Sequence, residues 1–268
     1  MVLTVISLGA GVQSTTLALM AAQGEITPMP DCAIFADTGA EPSHIYDYLD
    51  WLESVLPFPV YRVQWQHGLT RNIEGSVKGG RFAGAPFFAM TPSGAAPLRR
   101  QCTREFKIQP IVRKVRDLVG IKPRSPGPRH VVVEQWLGIS LDEMVRMKYS
   151  GTRWIEHRFP LIERQMRRRD CLKWMAEHGY PEPRRSACVY CPYHSNDEWR
   201  SIRDNDPAGW QEAIRIDALI RSNIRGVRDP IYVHRSLKPL AEVDLSTAAE
   251  RGQMEFGFLQ ECEGMCGV

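Results

Sequence analysis

The first fifteen residues constrain this chain more than any other stretch. Residues 2–6, Val-Leu-Thr-Val-Ile, are an apolar run of the length and composition of a buried strand, and residues 17–22, Leu-Ala-Leu-Met-Ala-Ala, read as a helix. Between them lies Ser7-Leu8-Gly9-Ala10-Gly11-Val12-Gln13-Ser14-Thr15. A strand, a short loop with two glycines and hydroxyl residues, and a helix start together make a phosphate cradle. Gly9 and Gly11 allow positive φ and close backbone approach, so that successive N–H groups can point into one concavity, and Ser14 and Thr15 can add hydroxyl donors. No lysine precedes Ser14-Thr15, which excludes a Walker A loop, and no third glycine completes a dinucleotide-binding fingerprint. An ordinary strand-to-helix turn is the plainer reading.

The next elements repeat the pattern. Residues 32–36 form a second apolar strand that runs into Asp37-Thr38-Gly39, residues 43–56 read as a helix, and residues 59–63 as a third strand. Alternating strands and helices predict a parallel sheet flanked by helices, an α/β fold. Ligands of such sheets gather at the carboxyl ends of strands, where Ser7 and Asp37 both fall. Residues 67–100 show no clear period and read as a long irregular insertion, and residues 110–118 read as a helix. Further helices are expected over residues 169–178, after the capping box Ser195–Glu198, and after Asp206-Pro207, where Trp210, Ile214 and Leu219 form a core stripe. The boundary between a nucleotide-binding part, residues 1–150, and a helical, cysteine-containing part, residues 151–268, is placed near residue 150.

Chain-wide features narrow the setting. No apolar run reaches membrane-spanning length and no secretory leader is apparent, so a cytoplasmic, non-membrane protein is expected. The net charge is +3, yet residues 146–203 hold 13 Lys and Arg against 7 Asp and Glu. Such a basic region suits a polyanion, and Arg146, Arg167, Arg168, Arg169, Arg184 and Arg185 are the candidate nucleic-acid contacts; a solvated surface is the alternative. Seven cysteines in a cytoplasmic chain point to metal or redox chemistry more than to disulfides. Cys188-Val189-Tyr190-Cys191-Pro192 can hold one edge of an iron–sulfur cluster, with Cys102 and Cys171 as further ligands and Cys262 behind them. His194, three beyond Cys191, leaves zinc as the other option.

These motifs resemble those of the PP-loop ATP pyrophosphatases, an adenine nucleotide α-hydrolase-like superfamily, and of its phosphoadenylylsulfate (PAPS) and adenylylsulfate (APS) reductase branch. Leu8 and Gln13 depart from the usual Ser-Gly-Gly-x-Asp-Ser loop. Cys102-Thr103-Arg104-Glu105-Phe106-Lys107-Ile108-Gln109-Pro110 is similar to a Cys-Cys-x-x-Arg-Lys-Val-x-Pro segment of the reductases, with Thr103 at the second Cys and Phe106 at the Arg. Residues 138–146 resemble a later Gly-x-Arg motif, with Ser140 at the Arg. Glu261-Cys262 resembles the reductases' terminal Glu-Cys. Two missing arginines weaken a sulfonucleotide substrate. The retained cysteines look most like the DndC/SspD-type proteins of DNA phosphorothioation.

The resemblance implies an enzyme. It would bind ATP with Mg²⁺ through Ser7, Gly9, Ala10, Gly11, Gln13, Ser14, Thr15, Asp37, Thr38, Gly39 and Gly138. Ser14, Lys107 and Cys262 would be catalytic, with Cys262 as a transient sulfur carrier. Cys102, Cys171, Cys188 and Cys191 would hold a 4Fe-4S cluster. Adenylation with release of pyrophosphate turns an oxygen of a nucleic acid, DNA above all, into a leaving group, and sulfur, from a donor such as a cysteine desulfurase, displaces AMP. The alternatives are a PAPS/APS reductase and a catalytically degenerate nucleotide- or DNA-binding module.

Overall fold

The computed structural model describes residues 2–82, 84–221, 224, 227, 229–246 and 250. The chain begins with β1 (Leu3–Leu8), α1 (Val12–Ala22), β2 (Cys32–Asp37), α2 (Ser43–Val55), β3 (Val60–Gln64) and α3 (Gly68–Val77). A hairpin of β4 (Phe88–Thr91) and β5 (Gly94–Pro97) follows, then a π-helix, Thr103–Ile108, that runs directly into α4 (Gln109–Leu118). Next come β6 (Val133–Leu137), a 3-10 turn (Leu141–Arg146), β7 (Ile155–Arg158), the single turn α5 (Pro160–Glu163) and α6 (Arg168–Glu177). Two helices, α7 (Asn196–Asn205) and α8 (Pro207–Ile220), and the short β8 (Ile231–Tyr232) complete the regular structure apart from a final 3-10 turn, Leu240–Glu242.

Five parallel strands form one sheet in the order β3-β2-β1-β6-β7, confirming the α/β class. Side chains alternate between its faces, as the two-residue period of a strand requires. Ile6, Leu8, Ala33, Phe35 and Trp136 pack with α1, α2 and α6 on one side. Val5, Cys32, Ile34, Ala36 and Val133 pack with Ile111 and Val115 of α4 on the other. Ten consecutive residues of α1, from Val12 to Ala21, are buried, so this helix is enclosed rather than amphipathic. The chain leaves β1 toward β2 and β3 and returns on β1's other flank as β6. The strand order therefore reverses between β1 and β6, and the carboxyl ends there open a crevice.

A second core joins α3, the hairpin, the π-helix, α7 and α8 around Phe87, Phe106, Tyr190, Trp199, Ala213, Ile216 and Ile220. This arrangement bears on three expectations. The insertion over residues 67–100 is ordered into α3 and a hairpin, whose first strand β4 lies between β5 and β8, the latter from the far end of the chain. The boundary near residue 150 falls between β6 and β7, hydrogen-bonded neighbours of one sheet, so it does not separate two cores. On α8 the expected stripe Trp210, Ile214 and Leu219 packs against this core, half-buried, around the fully buried Ala213, Ile216 and Ile220.

Candidate functional site

The crevice between β1 and β6 is built by the loop after β1 and by residues 138–146. Gly11 is the N-cap of α1, in extended backbone (φ −100°, ψ 177°), and no side chain caps the helix. Its first turn carries no acidic residue. The first-turn amides of a helix lack intrahelical acceptors and carry partial positive charge. Ser14 Oγ accepts the Gly9 N–H at 3.1 Å and lies 3.3 Å from the Gly11 carbonyl, closing the loop on itself. The positive φ sits at Ala10 (54°), not at either glycine. That corrects the expected roles of Gly9 and Gly11. A Cβ on Gly11 would meet nothing within 4 Å, so what the glycine leaves is open space above the helix start.

Gly138 has the opposite surroundings. A Cβ there would lie 2.6 Å from Ser14 Cα and 2.7 Å from Ser14 N, so only glycine lets the end of β6 press against the first turn of α1. Ser7 and Thr15 sit deeper than expected of ATP contacts. Ser7 Oγ accepts from Gln135 Nε2 at 2.6 Å within the sheet, and Thr15 is fully buried.

Gln13 organises the crevice's polar wall. Its Nε2 donates to Ser140 Oγ at 3.4 Å and Glu143 Oε2 at 3.3 Å, and its Oε1 accepts from Arg168 at 3.5 Å. Arg146 ion-pairs with Glu143, and Asp142 accepts the Ser140 hydroxyl at 2.6 Å and the Arg168 amide at 3.2 Å. Burial pushes the Glu143 carboxyl above its ordinary range, with Arg146 working against it. Arg146 and Arg168, expected on nucleic acid, thus stand beside the loop after β1. Arg167, Arg169 and Arg184 are exposed. Arg185 is half-buried, ion-pairs with Glu198 and donates to the Tyr193 carbonyl at 3.4 Å.

A second cleft lies at the carboxyl end of β2. Asp37 Oδ1 accepts from the Gly39 N–H at 2.7 Å and the Tyr46 hydroxyl at 2.9 Å. Thr38 turns inward, with Oγ1 3.2 Å from Cys188 Sγ and 3.2 Å from Glu41 Oε1. Glu41 accepts the Ser186 hydroxyl at 3.2 Å and ion-pairs with Lys107 at 3.3 Å. The side chains of this pair are 0% and 10% exposed, so the ion pair is shielded from solvent screening. The cleft encloses about 450 Å³ and is lined by Cys102, Thr103, Lys107, Cys188 and Cys191, with Arg100 at its wall.

The Cys-x-x-Cys loop is pinned from several sides. Val189 N–H donates to the Ala40 carbonyl at 2.8 Å, and Cys191 N–H to the Cys188 carbonyl at 2.8 Å. His194 Nε2 bonds the Cys188 carbonyl at 2.9 Å and its ring packs on Trp199, so it supports the loop rather than joining the sulfurs as a zinc ligand. Burial, with Glu41 nearby, pushes the Cys188 thiol well above its ordinary range.

Cys171 is not in this cleft. It is fully buried with α1 and α2 residues in the first core, where burial raises its thiol to about 12. The expected convergence of four cysteines is therefore corrected to three lining one cleft. Among the described residues no three Cys, His, Asp or Glu side chains stand close enough together to hold a metal ion. Thr103 Oγ1, buried with no partner, also lines the cleft, as a donor would when an acceptor-rich group is its partner. Cys262 lies outside the described residues.

Glu41, Ser186, Asp142 and Glu143 are site residues that sequence reasoning missed. Only Glu41 left a trace, as an acidic residue in the loop that ends a buried parallel strand. Among the described residues no helix is long and apolar enough to cross a membrane. Comparison with known proteins returns no matching family model and no matching curated relative.

Proposed function

We propose that this chain is an ATP pyrophosphatase of the PP-loop kind that activates a nucleic-acid acceptor for sulfur incorporation. The observation that carries the reading is the uncapped, acid-free start of α1 at the strand-order reversal, with Arg146 and Arg168 beside it. A triphosphate with Mg²⁺ would place its pyrophosphate end over Gly11 and Ser14, where amides and both guanidiniums oppose the charge that builds on the leaving group. Attack of an acceptor oxygen on the α-phosphorus would form an adenylated acceptor and release pyrophosphate.

The second cleft is where sulfur would be handled. Cys102, Cys188 and Cys191 line one cleft and are the candidate ligands of an iron–sulfur cluster, although they are not gathered as closely here as metal ligands are and would have to draw together to hold it. When bound, the cluster supplies a soft site for sulfur or electrons. With Cys171 elsewhere, Cys262 and Cys266 are the remaining thiols for a fourth position or for carrying sulfur. Lys107, fixed by Glu41, sets a positive charge against the burial and the Glu41 carboxylate that hold the Cys188 thiol protonated. Ser140, bonded to Asp142 and Gln13, holds a place where the sulfonucleotide reductases have an arginine, which favours activation of an acceptor over sulfonucleotide reduction.

The test is pyrophosphate release from Mg²⁺–ATP in the presence of nucleic acid, with Gly11→Val beside the native protein. The variant is expected to keep its melting temperature, because its side chain meets open space, and to lose ATP binding. Undiminished ATP affinity in Gly11→Val would refute the loop assignment, and sulfite release from a sulfonucleotide would move the protein to the reductases.

A further inference from the structure

Beyond the residues of the 3-10 turn Leu141–Arg146 that wall the crevice, the turn and the segment after it carry outward side chains, Met144, Val145, Lys148 and Tyr149, that neither cleft uses. None of the turn's residues is buried. Met144 is 53% exposed, Val145 90% and Tyr149 85%. Among the described residues, no other ring packs against Tyr149. Residues 144–154 contain Arg146, Lys148 and Arg153 and no acidic residue. The turn is pinned to the arginine-rich turn before α6 by Leu141 N–H to the Met166 carbonyl at 2.8 Å. Exposed Arg167 and Arg169 follow Met166 in the chain. At its inner end the segment touches the phosphate loop through Ser140 and Gln13.

We infer that residues 144–153 are the seat of a single-stranded nucleic acid, or of a strand locally opened from a duplex, leading into the crevice. The inference rests on the nucleic-acid reading above and deepens it. A solvent-facing aromatic ring flanked by cations on one strip is the arrangement that binds single strands, with bases stacking on rings and the backbone following the charge. In a duplex the base faces are already stacked and cannot reach Tyr149. A lipid surface would need a broader apolar face than Met144, Val145 and one ring provide. Continuity with the loop gives the strip its purpose. A strand stacked on Tyr149 has its neighbouring backbone led by Lys148 and Arg146 toward Ser140 and Gln13, beside the site proposed for ATP.

The experiment is fluorescence anisotropy of the full chain with a labelled single strand of about a dozen nucleotides, and with the same sequence as a duplex. The single strand is expected to bind more tightly. Tyr149→Ala should weaken it about tenfold, within the range of one lost base stack, and Tyr149→Phe should restore it. Lys148→Ala and Arg153→Ala should each lower the slope of log affinity against log salt by about one unit. Tyr149 is exposed, so a folding defect in Tyr149→Ala, checked by thermal melting, is not expected. If the native protein binds single strands and Tyr149→Ala binds equally well, the strip is refuted while the nucleic-acid reading stands. If the native protein binds no nucleic acid, that reading fails and the strip with it. Binding of anionic lipid vesicles lost in Tyr149→Ala, without binding of single strands, would reassign the strip to membranes.

Discussion

Gly138→Ala isolates the contact between the end of β6 and the loop proposed to bind phosphate. One methyl group would sit 2.6 Å from Ser14 Cα and 3.0 Å from the Gln13 carbonyl carbon, both backbone atoms that cannot rotate away. Restoring an ordinary contact of 3.4 Å requires the end of β6 and the start of α1 to part by about 0.8 Å. Overpacking of this size costs roughly 1–3 kcal/mol. For a domain of this length, about 2 kcal/mol lowers the melting temperature by roughly 4–8 °C. The same displacement shifts the Gln13–Ser140 and Gln13–Glu143 hydrogen bonds, already 3.4 and 3.3 Å long, so ATP affinity should fall further than stability. Urea titration and ATP binding by calorimetry, on Gly138→Ala and the native protein, provide the assay. Gly11→Ala serves as the internal control, since its methyl meets nothing and should leave the urea midpoint unchanged. Unchanged stability and unchanged ATP affinity in Gly138→Ala would refute the close packing of β6 on the loop.

Two further outcomes are expected. Burial of Glu198 favours its neutral form, but hydrogen bonding and charge from His194 and Arg185 outweigh it and hold the carboxyl at about 2 rather than 4.5. Because the folded value is depressed, this stabilisation is complete above about pH 4.5 and is lost as pH falls toward 2; it is on the order of 3 kcal/mol. Urea midpoints at pH 7 and pH 3 should converge in Glu198→Gln relative to the native protein, and an unaltered acid limb would contradict the pairing. Cys171→Ala should leave the metal content of the purified protein unchanged while Cys188→Ala lowers it, measured by iron, sulfide and zinc assay; a loss of metal in Cys171→Ala would return that residue to the ligand shell.

Contiguous motifs were the legible part of this molecule. Residues 2–22 carry strand, loop and helix in one run, and Asp37-Thr38-Gly39 marks the next strand end, so the parallel sheet and its carboxyl edge follow from local pattern. What could not be read depends on pairing across the chain. Glu41 and Lys107 meet only because the π-helix lies beside the end of β2. Glu143 and Arg168 meet Gln13 only because β6 and α6 flank α1. Cys171 misled for the same reason. It lies seventeen residues before Cys188, yet its helix packs on α1, in the other core. The arginine clusters misled by composition: a basic count does not separate Arg169, on the surface, from Arg185, locked to Glu198.

The π-helix Thr103–Ile108 sets the angular phase of its cleft. Residues five apart on an α-helix diverge by about 140°, so Cys102 and Lys107 could not both face the same opening from an ordinary helix. The wider turn, in which the Gln109 amide reaches back five residues to the Arg104 carbonyl, brings them onto one side. Rewound as α-helix with no residue removed, this segment would turn Cys102 and Lys107 about 140° apart, while α4 kept its hold on the sheet. The cleft's chemistry is thus encoded in the winding of the backbone as well as in side-chain identity, and a change of winding alone would erase it without emptying either core.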